Sequence, residues 1–97
     1  MMVREVTPSQ AKSLIGANPD VQFVDVREPH ERMACSIPGT LHIPLGSLPR
    51  NLHRLDPERP VIVHCKSGMR SAAACELLRQ MGFREVYNLR GGIDAWG

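Results

Sequence analysis

The stretch at residues 61–71 constrains the fold most, because an apolar run ends there at a cysteine and a short polar loop leads into a helix. Residues 61–63 are all β-branched, which is typical of a strand covered on both faces, as parallel strands usually are. Apolar side chains recur on one helical face over residues 70–81, and Gly82 stands where a left-handed cap belongs. These residues predict a strand, a loop and a helix in succession.

The remaining segments extend this pattern on either side. Residues 21–26 predict a second buried strand, and shorter strands are expected at residues 3–6, 40–43 and 86–89. Thr7, Pro8 and Gln10 together are typical of a capped helix start, and that helix should end at residues 16–19. The alternation predicts an α/β fold with a small, open, mostly parallel sheet of about five strands and helices on both faces.

Three segments carry weaker signals. Leucines recur at near-helical spacing over residues 45–55, and regular helix is expected to begin near Pro49. Residues 27–32 should form a loop and a short helical turn. Residues 93–96 predict a final helical turn whose Trp96 packs into the core.

Composition narrows the class of protein. With 97 residues, 42% of them apolar and 23% charged, we expect one ordered domain over residues 1–97. A net charge of +2 without a basic run gives no support for a nucleic acid partner, and the absence of a long apolar stretch gives none for a membrane. The three cysteines are an odd number without a close pair, which fits reduced thiols and a cytoplasmic protein.

Cys65 is the candidate nucleophile. It lies where a parallel strand ends and a helix begins, so backbone N–H groups and the helix N-terminus should surround its sulfur. Lys66 and Arg70 add two positive charges in the same turn, and Gly68 permits a tight loop. Such surroundings lower the pKa of a thiol and favour the thiolate at neutral pH. An inert buried cysteine would not account for these neighbours.

Four segments in register, residues 65–71, 25–28, 37–44 and 88–96, resemble a single-domain rhodanese. The resemblance implies a sulfurtransferase without a cofactor, in which Cys65 takes a sulfane sulfur from a small donor such as thiosulfate. The persulfide then passes that sulfur to a thiophilic acceptor. It also implies that Asp25 and Arg27 support the active-site end of the sheet. The residues implied in donor and persulfide binding are Lys66, Ser67, Gly68, Met69, Arg70 and Ser71.

Three other functions stay open. The resemblance extends to sulfur-relay modules that serve protein partners, such as a cysteine desulfurase as donor and a sulfur-carrier protein as acceptor. Related phosphatases and arsenate reductases place five residues between cysteine and arginine, whereas four stand between Cys65 and Arg70 here. Non-catalytic rhodanese-like domains used for binding usually lack the cysteine.

The other histidines and cysteines have weaker claims to a site. Neighbouring residues on a strand point to opposite faces, so the His64 ring should not reach the sulfur of Cys65. We expect Cys75 to be a small core residue, while the roles of Cys35 and Glu28 stay open. No metal site is expected, because ligand spacing is missing among the remaining histidines, His30, His42 and His53.

Overall fold

The computed structural model describes residues 4–97, in which strands and helices alternate along the chain. In chain order the elements are β1 (Arg4–Val6), α1 (Pro8–Ala17), β2 (Gln22–Asp25), α2 (Pro29–Ala34), β3 (Leu41–His42), a first 3₁₀ helix (Leu45–Arg54), β4 (Val61–His64), α3 (Met69–Gln80), β5 (Val86–Leu89) and a second 3₁₀ helix (Gly92–Ala95). The predicted order of elements is confirmed.

The five strands form one sheet in the order β1-β5-β4-β2-β3, and every neighbouring pair is parallel. The predicted α/β class is therefore confirmed. The register places Asp25 of β2 opposite His64 of β4, so their carboxyl ends meet at one edge. The strand expected at residues 3–6 is the edge strand β1, although Val3 lies outside the described residues.

Helices cover both faces of the sheet. On one face Val63 packs in a buried cluster with Leu78 of α3 and Leu48 of the first 3₁₀ helix. On the other face Ile62 packs with Ala11 of α1. All four residues of β4 are buried, as its continuous apolar run predicted. Each fully buried aliphatic side chain of this kind contributes about 1.5–3 kcal/mol.

Trp96 lies against the face of the sheet that α1 covers. Its ring centroid is 5.4 Å from that of Phe23, and the Lys12 ammonium lies 4.7 Å from the indole centroid. The side chain is half-buried and packs against the second cluster. The predicted packing role of Trp96 is confirmed.

The start of α1 and the end of α3 follow the signals in the sequence. Gln10 N–H donates to the Thr7 hydroxyl at 3.1 Å, and Thr7 N–H donates to the Gln10 side chain at 2.9 Å. These two bonds form the predicted capping box. Gly82 follows α3 with φ +94°, the left-handed conformation expected there. Helix α3 begins at Met69, one residue earlier than predicted.

Two segments differ from the prediction. The leucine-rich segment is the first 3₁₀ helix, which already begins at Leu45 and is kinked at Asn51, where φ is −121° and ψ is 15°. It contains Pro49, whose missing N–H is unfavourable for a regular α-helix. Residues 29–34 form the six-residue helix α2, which is more than the single turn expected. The carboxylate of Glu31 accepts the backbone N–H of Glu28 at 2.9 Å and so stabilises the start of α2.

Candidate active site

Cys65 lies one residue beyond β4, in a loop that leads into α3 at the carboxyl edge of the sheet. The residue is only 1% exposed, so its sulfur is surrounded by protein. Gly68 ends the loop with φ +117°, a conformation that a side chain would strain. The loop therefore folds its backbone back toward the sulfur.

Hydrogen-bond donors of the loop converge on the sulfur of Cys65. Gly68 N–H lies 3.1 Å from Sγ, and the Ser71 hydroxyl lies 3.3 Å from it. Burial acts to raise the pKa of the thiol, but the Ser71 hydroxyl and the N–H groups of Ser71, Gly68 and Ser67 outweigh burial and lower it. The site therefore favours the thiolate, which is the nucleophilic form of cysteine.

Asn88 of β5 links two parts of this loop. Its Nδ2 donates to the carbonyl of Gly68 at 2.9 Å, and its Oδ1 accepts from the Ser71 hydroxyl. Asn88 begins one of the four segments that resemble a rhodanese, but the sequence alone predicts no role for it. A signal was present, since Asn88 is a polar residue near the carboxyl end of a strand predicted to lie in the sheet.

The second 3₁₀ helix packs against the backbone of the loop and donates hydrogen bonds to it. Ile93 N–H donates to the carbonyl of Cys65 at 3.0 Å, and Asp94 N–H donates to that of Lys66 at 3.1 Å. A Cβ atom at Gly92 would lie 2.4 Å from the Lys66 carbonyl oxygen and 2.5 Å from that of Cys65. Only glycine allows the two backbones to approach this closely.

Both cations near the sulfur are paired with carboxylates of other elements. Lys66 Nζ contacts the two oxygens of Asp94 at 3.0 and 2.9 Å. Arg70 donates to both oxygens of Glu31 at 2.6 and 2.8 Å, which raises the pKa of Arg70. The hydrogen-bond donors of the loop are the main causes that lower the pKa of Cys65. The negative charge of Cys65 also raises the pKa of Arg70, so the charged forms of these two side chains favour each other, as predicted. The same effect of Lys66 stays a prediction.

The sequence did not single out Glu31 and Asp94 as partners of the loop. Each lies on a short helix, α2 or the second 3₁₀ helix, far along the chain from the cation it contacts. Contacts of this kind leave no periodic pattern in a sequence.

Asp25 and Arg27 form a buried ion pair beside the site. Arg27 donates from Nε and Nη2 to the two oxygens of Asp25 at 3.0 and 2.9 Å, and Arg32 adds a bond at 3.2 Å. Burial acts to raise the pKa of Asp25, but the bonds from Arg27 outweigh it and lower the pKa. Arg27 also donates to the carbonyl of Cys35 at 2.7 Å. The pair ties the end of β2 to the end of α2.

His64 contacts the backbone of Cys65 and not its sulfur. The imidazole Nδ1 lies 3.0 Å from the Cys65 carbonyl oxygen, and because a carbonyl only accepts, Nδ1 carries a proton. The ring packs against Phe23 with centroids 5.5 Å apart. Burial lowers the pKa of His64. The ring therefore supports the strand end, as the alternation of strand residues predicted.

The remaining candidates divide into buried and exposed groups. Cys75 is buried, and burial raises the pKa of its thiol to about 12, which confirms it as a core residue. Cys35 and Glu28 are exposed. Ser67 presents its side chain to solvent, and Met69 is 83% exposed, so neither side chain surrounds the sulfur.

A cleft of about 270 Å³ lies beside the loop, and both ion pairs contribute to its walls. Glu31, Lys66 and Asp94 line it, together with Cys35 and Ile93. Within residues 4–97, no group of three or more histidine, cysteine or acidic side chains could hold a metal ion. None of the helices in this part of the chain is long and apolar enough to cross a membrane.

The family model of the rhodanese-like domain matches residues 7–97. The chain belongs to the rhodanese-like family. A rhodanese-like domain protein from Staphylococcus aureus has the same fold, with a TM-score of 0.90 and 32% identity over 98% of this chain and 92% of that one.

Relatives of this rhodanese-like domain are named for sulfur transfer. A sulfurtransferase from Allochromatium vinosum is 38% identical over 98% of this chain and 89% of its own length. The thiosulfate sulfurtransferase GlpE from Coxiella burnetii is 31% identical over 99% of this chain and 89% of its own. The chain therefore belongs with sulfurtransferases across nearly its whole length.

Proposed function

We propose that this rhodanese-like domain transfers a sulfane sulfur from thiosulfate or a similar small donor to a thiophilic acceptor through a persulfide on Cys65. One observation carries the proposal: Gly68 N–H and the Ser71 hydroxyl converge on a single sulfur atom at 3.1 and 3.3 Å. The relative from Coxiella burnetii, which is named for thiosulfate, supports this donor.

In the first half-reaction the Cys65 thiolate attacks the outer sulfur of thiosulfate. A new S–S bond forms to Cys65 while the bond between the two sulfurs of thiosulfate breaks, and sulfite leaves with the electron pair. The terminal sulfur of the persulfide carries the negative charge. N–H groups of the loop stabilise that charge, because preorganised donors need no rearrangement as it develops.

In the second half-reaction an acceptor thiolate, or another thiophile such as cyanide, attacks the terminal sulfur of the persulfide. The S–S bond to Cys65 breaks, and its electron pair restores the thiolate. The donors at Gly68 and Ser71 then hold the same charge as before the cycle began. No other group has to gain or lose a proton.

Mass spectrometry of the intact protein tests this proposal. Incubation with thiosulfate should add the mass of one sulfur atom to the chain, and Cys65→Ala should abolish the gain. Cys35→Ala is the matched control, because Cys35 is the exposed thiol outside the loop, and this variant should still be loaded. Equal loading of Cys65→Ala would overturn the assignment.

The arginine of the loop argues against phosphatase or arsenate reductase activity. Four residues separate Cys65 from Arg70, which makes a narrower ring than the five of the related phosphatases. The Arg70 guanidinium also donates to both oxygens of Glu31, so it is engaged where a phosphate would need it. The narrower loop suits attack on the outer sulfur of a donor, whereas a phosphate attacked at its tetrahedral centre needs the wider ring.

A sulfur relay between proteins is the second candidate function. Met33 on α2 is two residues from both Glu31 and Cys35, which line the cleft. Met69 begins α3, and the side chains of Met33 and Met69 are 88% and 83% exposed. Exposed methionines are adaptable contacts for a protein partner. Persulfide loading from thiosulfate should therefore be compared with loading from a cysteine desulfurase, and much faster loading from the desulfurase would favour the relay.

A further inference from the structure

The ion pair between Arg70 and Glu31 lies beside the loop that holds Cys65, and the Glu31 side of the pair lines the cleft. Two parallel hydrogen bonds of 2.6 and 2.8 Å join the guanidinium to the carboxylate, an arrangement among the strongest that charged side chains form. The two side chains are 37% and 18% exposed, so water only partly weakens the pair. The pair holds the pKa of Glu31 at about 2, which keeps its charge at neutral pH.

Charges on both sides of the loop cancel. Lys66 is paired with Asp94, and Arg70 is paired with Glu31, so two carboxylates offset two cations. Glu28 lies close enough to raise the pKa of Arg70 further, which adds another negative charge. The Cys65 thiolate is itself an anion. A donor that carries two negative charges therefore has to compete with a carboxylate for each cation.

We propose that Glu31 is a donor-specificity residue, which holds Arg70 away from doubly charged donors and so favours hydropersulfides, R–S–SH, over thiosulfate. The inference rests on the proposed sulfur transfer at Cys65. Glu31 occupies two of the five N–H donors of Arg70 and neutralises its charge, so thiosulfate gains less from that cation than it would from an unpaired arginine. A neutral or singly charged hydropersulfide depends less on that charge. Discrimination of this kind comes from a competing carboxylate in the protein, which is a repulsive element directed at one class of ligand.

The chemical steps for the two donors differ in the leaving group and in the proton on the transferred sulfur, which thiosulfate delivers as Cys–S–S⁻ and a hydropersulfide delivers as Cys–S–SH. With a hydropersulfide, the Cys65 thiolate attacks the terminal sulfur, a new S–S bond forms and the S–S bond of the donor breaks. The electron pair leaves on R–S⁻, and the proton of the donor stays on the transferred sulfur. This leaving group carries one negative charge, whereas sulfite carries two. The hydropersulfide leaving group therefore needs less stabilisation by a nearby cation than sulfite does.

Glu31→Gln tests the inference with little change of shape. The glutamine oxygen can still accept the Glu28 N–H that begins α2, because glutamine serves at this position of a capping box as well as glutamate does. Arg70 then loses its charged partner. The KM for thiosulfate should fall about fivefold, the strength typical of a partly exposed ion pair. The kcat/KM for cysteine hydropersulfide should change less than about twofold.

Asp94→Asn is the matched control, since it frees Lys66 by the same change of charge on the exposed side of the loop. It should lower the KM for thiosulfate by less than Glu31→Gln does. The double variant Glu31→Gln/Arg70→Ala should not show the lower KM for thiosulfate, because Glu31 acts through Arg70. Thermal unfolding of each variant checks that it is folded.

Three results would overturn the inference. An unchanged thiosulfate KM in folded Glu31→Gln removes Glu31 from donor selection while sulfur transfer at Cys65 stands. An equal gain in Asp94→Asn, or a gain that persists in the double variant, makes the effect one of net charge alone. If intact-mass measurements detect no sulfur on Cys65 from either donor, the proposed function itself fails.

Discussion

Ser71 couples the charge of Cys65 to the rest of the site through a single proton. Its hydroxyl lies 3.3 Å from the sulfur and also within hydrogen-bond distance of Asn88 Oδ1. An amide oxygen only accepts and a hydroxyl donates once, so Ser71 donates to one of the two at a time. When the thiol is protonated, the Ser71 hydroxyl can donate its hydrogen bond to Asn88 Oδ1. When the thiol is ionised, the negative sulfur attracts that hydrogen bond instead. The serine hydroxyl should therefore turn as the cysteine ionises.

Ser71→Ala should raise the pKa of the Cys65 thiol, because it removes the side-chain donor that most lowers this pKa. At neutral pH the rate of alkylation by iodoacetamide should fall about fivefold, since a hydrogen bond to a charged group contributes on the order of 1.5 kcal/mol and a more basic thiolate is slightly more nucleophilic. The rate measured as a function of pH gives the pKa directly.

Ser67→Ala is the control for that measurement. The Ser67 side chain is exposed, and this residue acts on the sulfur through its backbone N–H. Its pH profile should match that of the original protein. A profile that moves equally in both variants contradicts the role given to the Ser71 hydroxyl.

At the scale of elements, the loop is stabilised mainly from outside its own stretch of chain. Asn88 of β5 holds the Gly68 carbonyl, and two N–H groups at the start of the second 3₁₀ helix hold those of Cys65 and Lys66. Each bond comes from a part of the sequence about twenty or more residues away. The geometry of the nucleophile therefore depends on how β5 and the final turn dock.

Gly92→Ala should disrupt that docking. The new Cβ would lie 2.4 Å from the Lys66 carbonyl oxygen, and φ is +58°. Strain of this conformation alone costs about 1–3 kcal/mol, so the free energy of unfolding should fall by at least about 2 kcal/mol. Urea denaturation measures this change, and sulfur loading of the folded fraction should slow by about tenfold or more.

Gly16→Ala serves as the opposite control, because Gly16 lies in α1 with no atom within 4 Å of an added Cβ. Alanine is the better helix former, so this variant should gain about 0.5–1 kcal/mol. Equal effects of the two substitutions would show that the approach at Gly92 carries no special constraint.

Helix α2 contributes a pH-dependent part of the stability through Glu31. Its pKa of about 2 in the folded chain lies below the ordinary value of 4.5, chiefly because Arg70 donates to its carboxylate. A lowered pKa gives stability that is present above the ordinary value and is lost as the pH falls toward the folded value. Urea midpoints should thus fall between about pH 5 and about pH 2, and Glu31→Gln should show a shallower fall. Identical slopes would contradict this assignment.

At the scale of the whole molecule, the sequence predicts the features that depend on periodic spacing and on contacts between neighbours along the chain. The buried strand at residues 61–63 and the capping box at Thr7 depend on neighbours along the chain, and the fold confirms both. The pairing of Arg70 with Glu31 depends on how α2 packs beside α3, which hydrophobic spacing does not encode. The leucines near Pro49 predict a regular helix, and that prediction is wrong because a 3₁₀ helix can share the apolar spacing of an α-helix.

Asp25→Ala should destabilise the whole fold. It leaves Arg27, which is 2% exposed, without the carboxylate that neutralises it. Removal of one partner from a buried ion pair costs about 3–5 kcal/mol. The free energy of unfolding in urea measures this loss.

Glu58→Ala is the comparison, because Glu58 pairs with Arg84 where the side chains are 67% and 73% exposed. Its loss should cost less than about 1 kcal/mol. If the two variants lose similar free energies of unfolding, Arg27 does not need the Asp25 carboxylate in order to be buried.

The position of the second 3₁₀ helix also sets an order of events during translation. A ribosome makes residues 65–71 before Ile93 and Asp94, whose N–H groups hold the carbonyls of Cys65 and Lys66. Until that final turn has been synthesised and has docked, we expect Cys65 to behave as an ordinary thiol in a nascent chain. Its reactivity should mature only once the strands and helices that surround it have been made.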